Sequence, residues 1–487
     1  MRVVVVGAGV AGLGAAIAFA QRGHQVTILD RDASEPRAGA DAIFAGWRRT
    51  GVPHVRQPHA FVSLGRQILR ERVPAAFDAL MTAGAIDVKI GERIPGGDPD
   101  ESDHDIALLG CRRPLMELVL REAAYARPEV RVRLGARVEE LVGRGSPPRI
   151  TGVRTQRGEE IEADLVVDAS GRSSRLGVWL GAVGGRQSRE ESEECGVVYY
   201  SRYFRYRGDV RLPTTPSPLG PRGDFGYMGF ATFPADNGTW ALTLNAPAWR
   251  PEFHVLRDAE IHGAVAQLIP AIRDAIAPEN SEPITEVMPM GGLRNVSREL
   301  VVDDAPIALG VIPIGDALAH TNPAYAWGLS LGLEQAFGLA ALADDYPADA
   351  DALVRVFDRT HGAHARACYR ASRDTDLARS RMWRGEAKAP TTPDGPELAL
   401  FYISVCFAAA LTDRELFRAA YRRAQLLDPL DKLPGDRALL ERAAAIVAER
   451  RSSKGPPPPS GPPEPEMLAL LGAAARVSPA PEGAVSP

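Results

Sequence analysis

The sequence has few cysteines, and no pairing pattern joins them. Its 487 residues contain only Cys111, Cys195, Cys368 and Cys406, and none of these belongs to a C-x-x-C motif. A disulfide framework or a zinc site needs regularly spaced cysteines, so this scatter argues against both and fits a reduced, intracellular protein. We therefore expect no bound metal and a cytoplasmic location.

Long apolar runs and a strong net charge are also missing. The segment 398–411 is uncharged, but its 14 residues fall short of the roughly 20 that a membrane-spanning helix needs. The net charge of −5 gives no sign of binding to nucleic acid or to anionic lipid. We therefore expect no integral membrane segment and no nucleic-acid partner, and we expect 398–411 to form a buried or partner-facing helix. The oligomeric state, monomer or homodimer, stays open.

The first thirty residues predict a nucleotide site. A β-branched run, residues 3–6, indicates a buried strand and leads into a G-x-G-x-x-G formed by Gly7, Gly9 and Gly12. A helical pattern and a second strand ending at Asp30 complete a βαβ unit. In such a unit the glycines permit a sharp turn and close approach to a pyrophosphate at the helix N-terminus, and the acid accepts hydrogen bonds from an adenosine ribose. This unit by itself does not distinguish FAD from NAD.

Two later motifs indicate which nucleotide is bound. Residues 164–174 read D-L-V-V-D-A-S-G-R-S-S, and residues 313–317 read P-I-G-D-A, followed by Pro323 and Gly328. With the βαβ unit, they resemble the single-component flavoprotein monooxygenases of the p-hydroxybenzoate hydroxylase type. The middle motif is most similar to the squalene-epoxidase, polyether-epoxidase and geranylgeranyl-reductase branches. The resemblance covers residues 1–343 and implies FAD as the bound cofactor, with NAD(P)H as a transient reductant.

The sequence departs from that family at three points. Hydroxylases commonly have D-G in the middle motif, and the family often has glycine where this chain has Ala326. The chain also lacks the W-x-W-x-I-P motif of flavin halogenases. These departures weaken the transfer of aromatic-hydroxylase details and argue against a halogenase.

The resemblance assigns cofactor contacts residue by residue. It implies that Asp316 binds the ribityl chain, that Arg113 begins a helix flanking the cofactor, and that Arg49 lies near the pyrophosphate. It also implies that the helix after Gly328 points its N–H groups at the flavin N1/O2 edge. The expected cofactor-binding residues are Gly7, Gly9, Val10, Ala11, Gly12, Asp30, Arg31, Arg49, Arg113, Asp168, Gly171, Gly315, Asp316, Pro323, Gly328 and Leu329.

We predict an α/β fold in which a Rossmann-like FAD-binding domain carries an inserted, mainly β, substrate domain and a C-terminal helical region. The expected limits are 1–183 with 300–345 for the FAD-binding domain, 184–299 for the inserted domain and 346–451 for the helices. Residues 452–487 are rich in proline, which predicts a disordered tail. A short docking helix at 467–475 within that tail is the alternative.

The catalytic residues are harder to predict. Gln57 and His59 lie where the epoxidase branch has a histidine-containing stretch near the isoalloxazine, although bracing of a loop explains them equally simply. Pro323 is a candidate through the same resemblance. The strand 197–206 places Tyr199 and Tyr203 on one face, but period-two alternation does not say whether that face meets the substrate.

Three functions remain open at this stage. The resemblance implies a monooxygenase that uses NAD(P)H and O₂ to hydroxylate or epoxidise a largely apolar small molecule through a flavin C4a-hydroperoxide. No clear acid–base pair is visible, which leans weakly towards alkene or non-phenolic substrates. The alternatives are a flavin-dependent reductase or saturase that uses no O₂, and a non-catalytic flavoprotein that docks through 398–411.

Overall fold

Strands and helices alternate through the first part of the chain. The computed structural model describes residues 1–36, 39–213, 215, 217, 220–388, 390–394, 397–454 and 461–477. The first part consists of β1 (Arg2–Val6), α1 (Val10–Ala20), β2 (Gln25–Asp30), α2 (Ala40–Gly46), β3 (Ala60–Phe61), α3 (Ser63–Arg72), α4 (Pro74–Thr82), β4 (Ile86–Lys89), β5 (Ala107–Gly110), α5 (Arg113–Tyr125), β6 (Val130–Leu134), β7 (Val138–Gly145), β8 (Pro148–Thr155), β9 (Glu160–Glu162), β10 (Leu165–Asp168) and α6 (Leu176–Ala182).

The middle of the chain is mostly β-structure, and a long helix follows it. These elements are β11 (Glu190–Glu194), β12 (Val197–Tyr206), β13 (Arg222–Asp224), β14 (Gly229–Ala235), β15 (Thr239–Pro247), α7 (Ala259–Gln267), α8 (Arg273–Ile276), β16 (Ser281–Pro283), β17 (Met288–Met290), β18 (Arg294–Arg298), β19 (Val301–Val302), β20 (Ala305–Pro306), β21 (Val311–Pro313), β22 (Ala319–His320) and α9 (Trp327–Asp345).

The remaining elements are helical. They are α10 (Ala350–Phe357), α11 (Ala363–Trp383), α12 (Leu398–Phe401), α13 (Phe407–Ala410), α14 (Arg414–Ala424), α15 (Lys432–Gly435), α16 (Arg437–Lys454) and α17 (Glu464–Val477). Two π-helical turns, Asp358–Gly362 and Tyr402–Cys406, join α10 to α11 and α12 to α13. None of the helices in the described ranges has both the length and the apolar character that a bilayer crossing requires.

A five-stranded parallel sheet carries the N-terminal motif. Its strand order is β21-β10-β1-β2-β6, so the chain returns after residue 300 to add β21 beside β10. The valines of β1 are buried because both faces of this sheet are covered, with α1 and α9 contributing Phe19 and Leu333 to one core. The return of β21 agrees with the discontinuous FAD-binding domain that we predict. The numerical domain limits remain our proposal.

A second sheet, in the order β13-β14-β15-β12-β16, faces the first part of the chain. Its β14–β15 hairpin turns at Asn237, which has φ 56°, and Gly238. The adjacent Asp236 accepts hydrogen bonds from the backbone N–H of Arg112 at 2.6 Å and from its Nε at 2.9 Å. Because Arg112 directly precedes α5, this ion pair fixes the inserted sheet against the cofactor-binding part.

The C-terminal helices pack onto the same body. Phe401 and Val405 of the segment 398–411 are buried in one core with Ile90 and Ile106, as a buried helix requires. A docking surface at 398–411 therefore has no structural basis, because its large apolar side chains are mostly internal.

The prediction of a disordered tail from residue 452 is wrong in two places. Helix α16 continues to Lys454, and α17 buries Met467 and Leu471 against the inserted sheet. Arg250 forms an ion pair with Glu464 at the start of α17. Proline content misled the prediction, because Met467 and Leu471 have a partner surface elsewhere in the fold. Residues 455–460 and 478–487 lie outside the described residues.

Candidate functional site

A cavity follows the carboxyl edge of the parallel sheet. Its wall joins the ends of β1, β2, β10 and β21 to the inserted sheet, where Phe233 and Met290 line it. Ligands of open parallel sheets bind at this edge, because loops and helix N-termini gather there. Most of the predicted cofactor residues line the cavity, and they are Gly7, Gly9, Val10, Ala11, Asp30, Arg31, Arg49, Arg113, Gly171, Gly315, Asp316, Pro323, Gly328 and Leu329.

The three glycines of the first motif have different surroundings. A Cβ atom at Gly12 would lie 2.0 Å from the carbonyl oxygen of Gly7, and one at Gly7 would lie 2.6 Å from the carbonyl oxygen of Ala169. Gly7 also has φ +105°, which disfavours any side chain. A Cβ atom at Gly9 would meet nothing closer than Nη2 of Arg113 at 3.9 Å. Gly7 and Gly12 are therefore required by the protein itself, whereas the space at Gly9 is left for a ligand.

The start of α1 is suited to an anion. Gly9 is its N-cap residue, no side chain caps the helix there, and its first turn carries no acidic residue. The first N–H groups of a helix have no intrahelical acceptor and carry the positive end of the helix dipole. They therefore offer hydrogen bonds to a phosphate beside Gly9.

A buried ion cluster supports the end of β2. Oδ2 of Asp30 accepts hydrogen bonds from the N–H of Ala8 at 2.9 Å and from Nη2 of Arg49 at 3.0 Å. Arg49 also donates to Oδ2 of Asp32 at 2.8 Å and to Oε2 of Glu117 at 2.6 Å. Burial opposes ionisation of Asp32 and Glu117, but hydrogen bonds and nearby guanidinium groups outweigh it, so the pKa values of both carboxyls lie below their usual ones.

This cluster gives Arg49 a structural role beside the cavity that it lines. Four of its five N–H groups serve three carboxylates and the carbonyl oxygen of Ala8 at 3.2 Å. Arg49 therefore braces Asp30 and the glycine loop from behind and has little capacity left for a phosphate. The cation nearest the open space at Gly9 is Arg113, whose Nη2 lies 3.9 Å from the position of a Cβ atom there.

Arg113 is held in place by three partners. Its Nε donates to Oε1 of Glu117 at 2.8 Å, and its Nη1 lies 2.9 Å from Nε2 of His54 and 3.2 Å from Nε2 of His59. Burial and the Arg113 guanidinium lower the pKa of His59 to about 3, so its ring is neutral. Nδ1 of His59 then donates to the carbonyl oxygen of Gln57 at 2.7 Å. Both ring nitrogens are occupied, which makes His59 a brace for Arg113 rather than a catalytic base.

The segment from β21 to α9 builds the far end of the site. Gly315 has φ +59° and lies close to α1, where its Cβ atom would be 3.0 Å from that of Ala11. Oδ1 of Asp316 is 3.5 Å from the position of a Cβ atom at Gly328. The N-cap of α9 is Ala326, with φ 55° and no side-chain cap, so the first N–H groups of α9 are available at the cavity wall. The carboxylate of Asp316, which can accept hydrogen bonds from hydroxyl groups, thus lies beside the N-terminus of α9, which can stabilise developing negative charge.

Asp168 has a different role from the one expected. Its Oδ1 accepts from the N–H of Ser170 at 3.0 Å and from its Oγ at 2.6 Å, and its Oδ2 accepts from Oγ of Ser174 at 2.5 Å. The side chain is fully buried and is not part of the cavity wall. Asp168 therefore shapes the loop that presents Gly171, and direct contact with the cofactor is not supported.

Of the remaining catalytic candidates, Gln57 lines the cavity, whereas Tyr199 and Tyr203 do not. Nε2 of Gln57 donates to the carbonyl oxygen of Met288 at 3.0 Å, while its Oε1 has no partner in the described structure and the residue lines the cavity. Tyr199 donates to Oδ1 of Asn322 at 2.5 Å, and Tyr203 packs against Phe44. Neither tyrosine belongs to the cavity wall. Burial also raises the pKa of each, so both hydroxyls stay protonated.

The residues of the cavity fit FAD. Oε1 of Gln57, Nδ1 of His54 and Nε1 of Trp179 are buried without a hydrogen-bond partner in the described structure, and all three residues line the cavity. Leaving such atoms unsatisfied is costly, so their clustering indicates a polar ligand. An anion site formed by the start of α1 at Gly9 together with Arg113, and the carboxylate of Asp316 on the cavity wall, match a ligand with a central pyrophosphate and a polyhydroxyl chain.

Several residues of this site were missed at the sequence level. Glu117 lies four positions after Arg113 on α5, a helical spacing that can signal an ion pair. Asn322 precedes a proline and caps the short 3₁₀ helix Pro323–Tyr325, which is a recognisable turn signal. His54, Phe233 and Met290 carry no local signal, because they reach the cavity only through tertiary packing.

Comparison with known proteins places this geometry in context. Residues 2–89 match the family model described as FAD dependent oxidoreductase. The chain is 28% identical over 359 residues to Protein Rv3254 of Mycobacterium tuberculosis, which covers 68% of this chain and 71% of that protein. It is 39% identical over 77 residues to a D-amino acid dehydrogenase of Dechloromonas aromatica, which covers 15% of this chain and 18% of that protein.

Solved structures share the fold at low sequence identity. The probable FAD-dependent monooxygenase PqsL of Pseudomonas aeruginosa has a TM-score of 0.56 and 15% identity, covering 79% of this chain and 99% of its own. The flavin-dependent brominase Bmp2 has a TM-score of 0.61 and 15% identity, covering 93% and 100%. The tetrameric form of 2-methyl-3-hydroxypyridine-5-carboxylic acid oxygenase has a TM-score of 0.54 and 17% identity, covering 82% and 96%.

Proposed function

We propose that this chain, an FAD-dependent oxidoreductase with the fold of the FAD-dependent monooxygenases, is itself a monooxygenase that uses NAD(P)H and O₂ on a small organic molecule. The expected FAD cofactor, fold class and oxidoreductase class are confirmed. The oxygen-transfer reaction, the reductant and the substrate are the proposed part. When bound, FAD supplies the redox chemistry, accepting a hydride from NAD(P)H and activating O₂.

The observation that carries the proposal is the composition of the cavity wall next to the Asp316–Gly328 segment. Phe233 and Met290 of the inserted sheet and Pro58 and Pro323 are apolar residues that line the same cavity as Asp316 and Gly328. Such a wall excludes water from a reactive site and accommodates the apolar body of a substrate. Gln57 is a polar residue of the cavity wall, and its Oε1, which has no partner in the described structure, is placed to accept from an N–H or O–H group of the cofactor or substrate.

The protein groups divide the remaining tasks. Arg113 and the N-terminus of α1 bind the pyrophosphate, and Asp316 binds hydroxyl groups of the ribityl chain. The N–H groups at the start of α9 stabilise negative charge that develops at the flavin edge. Neither ring nitrogen of His59 is free to accept a proton from a substrate. This favours a substrate that needs no deprotonation, such as an alkene or a non-phenolic ring.

Two of the similar structures guide the choice of test compounds. PqsL was solved with 2-aminobenzoylacetate, and the pyridine oxygenase is named for a hydroxypyridine carboxylic acid. These facts concern those proteins only. They support including small aromatic and heteroaromatic acids in a screen beside apolar alkenes.

The test is oxygen uptake coupled to NADH or NADPH oxidation by purified holoenzyme, with catalase present to detect uncoupled peroxide. We expect one compound to raise uptake and to gain one ¹⁸O atom from ¹⁸O₂. Conversion of the substrate under strict anaerobiosis would instead identify a reductase or saturase. Flavin that no nicotinamide donor reduces would identify a non-catalytic flavoprotein. Bromide in a parallel reaction reports halogenation, and a brominated product would overturn the proposal.

A further inference from the structure

A buried polar cluster connects helix α11 to the loop that opens the cofactor helix α9. At its centre lies Asp376, whose carboxylate is fully buried. Oδ1 accepts from Nδ2 of Asn322 at 2.8 Å and from Nη2 of Arg379 at 2.5 Å. Oδ2 accepts from Nδ2 of Asn295 on β18 at 2.9 Å. One carboxylate therefore joins the C-terminal helices, the inserted region and the cavity loop.

Every polar atom of Asn322 takes part in a hydrogen bond. Its N–H donates to Oδ1 of Asn295 at 2.8 Å, and its Oδ1 accepts from the hydroxyl of Tyr199 at 2.5 Å and from the N–H of Ala324 at 3.0 Å. Its Nδ2 donates to Asp376. Asn322 itself lines the cavity and directly precedes Pro323. Its position therefore sets where the Pro323–Gly328 loop enters the site.

The loop needs such support because it is strained. Ala326, the N-cap of α9, has φ 55°, a left-handed conformation that is unfavourable for a residue with a side chain. Strained residues persist where the surroundings overdetermine them. The cluster around Asn322 supplies that restraint on one side of the loop. On the other side, Nε1 of Trp327 donates to the carbonyl oxygen of Ala424 at 2.8 Å.

We infer that Asp376 is a positioning residue for the cofactor: acting through Asn322, it fixes the Pro323–Gly328 loop and the N-terminus of α9 against the flavin. Helix α11 then contributes to the geometry of the flavin site, although it contains none of the sequence motifs of the FAD-binding domain. Arg379 neutralises the Asp376 carboxylate, so the cluster adds order to the loop without adding net charge.

Two variants test the inference, with FAD binding and the flavin spectrum as readouts. Tyr199→Phe removes one hydrogen bond to Asn322 and keeps the ring, and we expect it to raise the FAD dissociation constant about threefold to tenfold. Asp376→Asn replaces one carboxylate oxygen by an NH₂ group, which cannot accept the hydrogen bond that Asn322 or Asn295 donates to that oxygen. It also removes the negative charge that pairs with Arg379. We expect at least about a tenfold weaker FAD complex, with a shifted flavin midpoint potential and an altered flavin band near 450 nm.

Tyr203→Phe is the matched control. Tyr203 lies on the same strand and the same face as Tyr199 and is as deeply buried, but it packs against Phe44 and does not touch Asn322. We expect its FAD affinity and spectrum to equal those of the wild type. All measurements are made well below the melting temperature of each variant, so that unfolding does not mimic weaker binding.

A lower melting temperature with unchanged FAD affinity, potential and spectrum in both test variants would overturn the inference and leave the cluster a structural brace. If Asp376→Asn does not fold, Tyr199→Phe decides by the same criteria. None of these readouts requires a substrate or O₂. The inference therefore stands or falls separately from the proposed monooxygenase activity.

Discussion

Replacing Gly9 by alanine should separate cofactor binding from folding. The backbone of Gly9 has φ −83°, which alanine adopts freely, and a Cβ atom there would meet nothing closer than 3.9 Å. We expect the unfolding free energy of the apoprotein to change by no more than about 1 kcal/mol. The same methyl group would occupy the space beside Gly9 that the pyrophosphate needs. Overpacking costs about 1–3 kcal/mol, which corresponds to an FAD complex roughly 5-fold to 150-fold weaker.

The comparison variant is Gly12→Ala. Its Cβ atom would lie 2.0 Å from the carbonyl oxygen of Gly7, so the backbone must shift, and we expect the apoprotein to lose about 3 kcal/mol or more. Gly23→Ala controls for backbone strain alone, because Gly23 has φ +78° and open space around it. It should lose about 1–2 kcal/mol without weakening FAD binding.

Urea unfolding of the apoproteins and titration of FAD by fluorescence quenching provide both numbers for each variant. Wild-type FAD affinity in Gly9→Ala would refute the assignment of this space to the pyrophosphate. A loss of apoprotein stability in Gly9→Ala as large as that in Gly12→Ala would refute the division of roles among the glycines.

Three further predictions concern the rest of the site. Gln57→Leu removes the free Oε1 and should lower substrate-dependent kcat/KM about tenfold or more with FAD still bound; an unchanged value in the oxygen-uptake assay would exclude Gln57 from catalysis. Ala326→Gly relieves left-handed strain but adds freedom to the unfolded chain, so melting curves should show a change within about 1 kcal/mol. The pKa of Glu117 is lowered in the folded protein, so its contribution to stability is present above the ordinary carboxyl pKa of about 4.5 and is lost as pH falls below it. Glu117→Gln should flatten that part of the stability profile between about pH 4.5 and pH 2, and an unchanged acid slope would contradict the ion cluster around Arg49.

The elements that local pattern defines were predictable. The strand over 197–206 matches β12 in both bounds, and α5 begins at Arg113, where the resemblance places a helix start, with a proline in its first turn. Proline at a helix start and a continuous β-rich run act within a few residues, so the sequence carries their full signal.

The facing of the aromatic strand was not predictable. Alternation separates Tyr199 from Tyr200, but both sides of β12 are buried, Tyr200 against Trp240 and Tyr199 against Asn322. Period two assigns residues to two faces and cannot say which element covers each face. The contact partner of Tyr199 lies 123 residues away in the chain.

The sequence by itself determined the nucleotide-binding edge of this protein. Gly7, Gly9 and Gly12 act on atoms of their own βαβ unit, and Asp30 follows them at a distance that the unit sets, so their roles are visible in one short stretch. Tertiary structure alone decided that the guanidinium beside Gly9 belongs to Arg113 while Arg49 pairs with buried carboxylates, that both ring nitrogens of His59 are hydrogen-bonded, and that Asp376 meets Asn322. These outcomes depend on which buried charges and hydrogen-bonding groups meet across distant segments. Burial makes an unpaired polar group costly, so most such groups find a partner, but local sequence does not say which one.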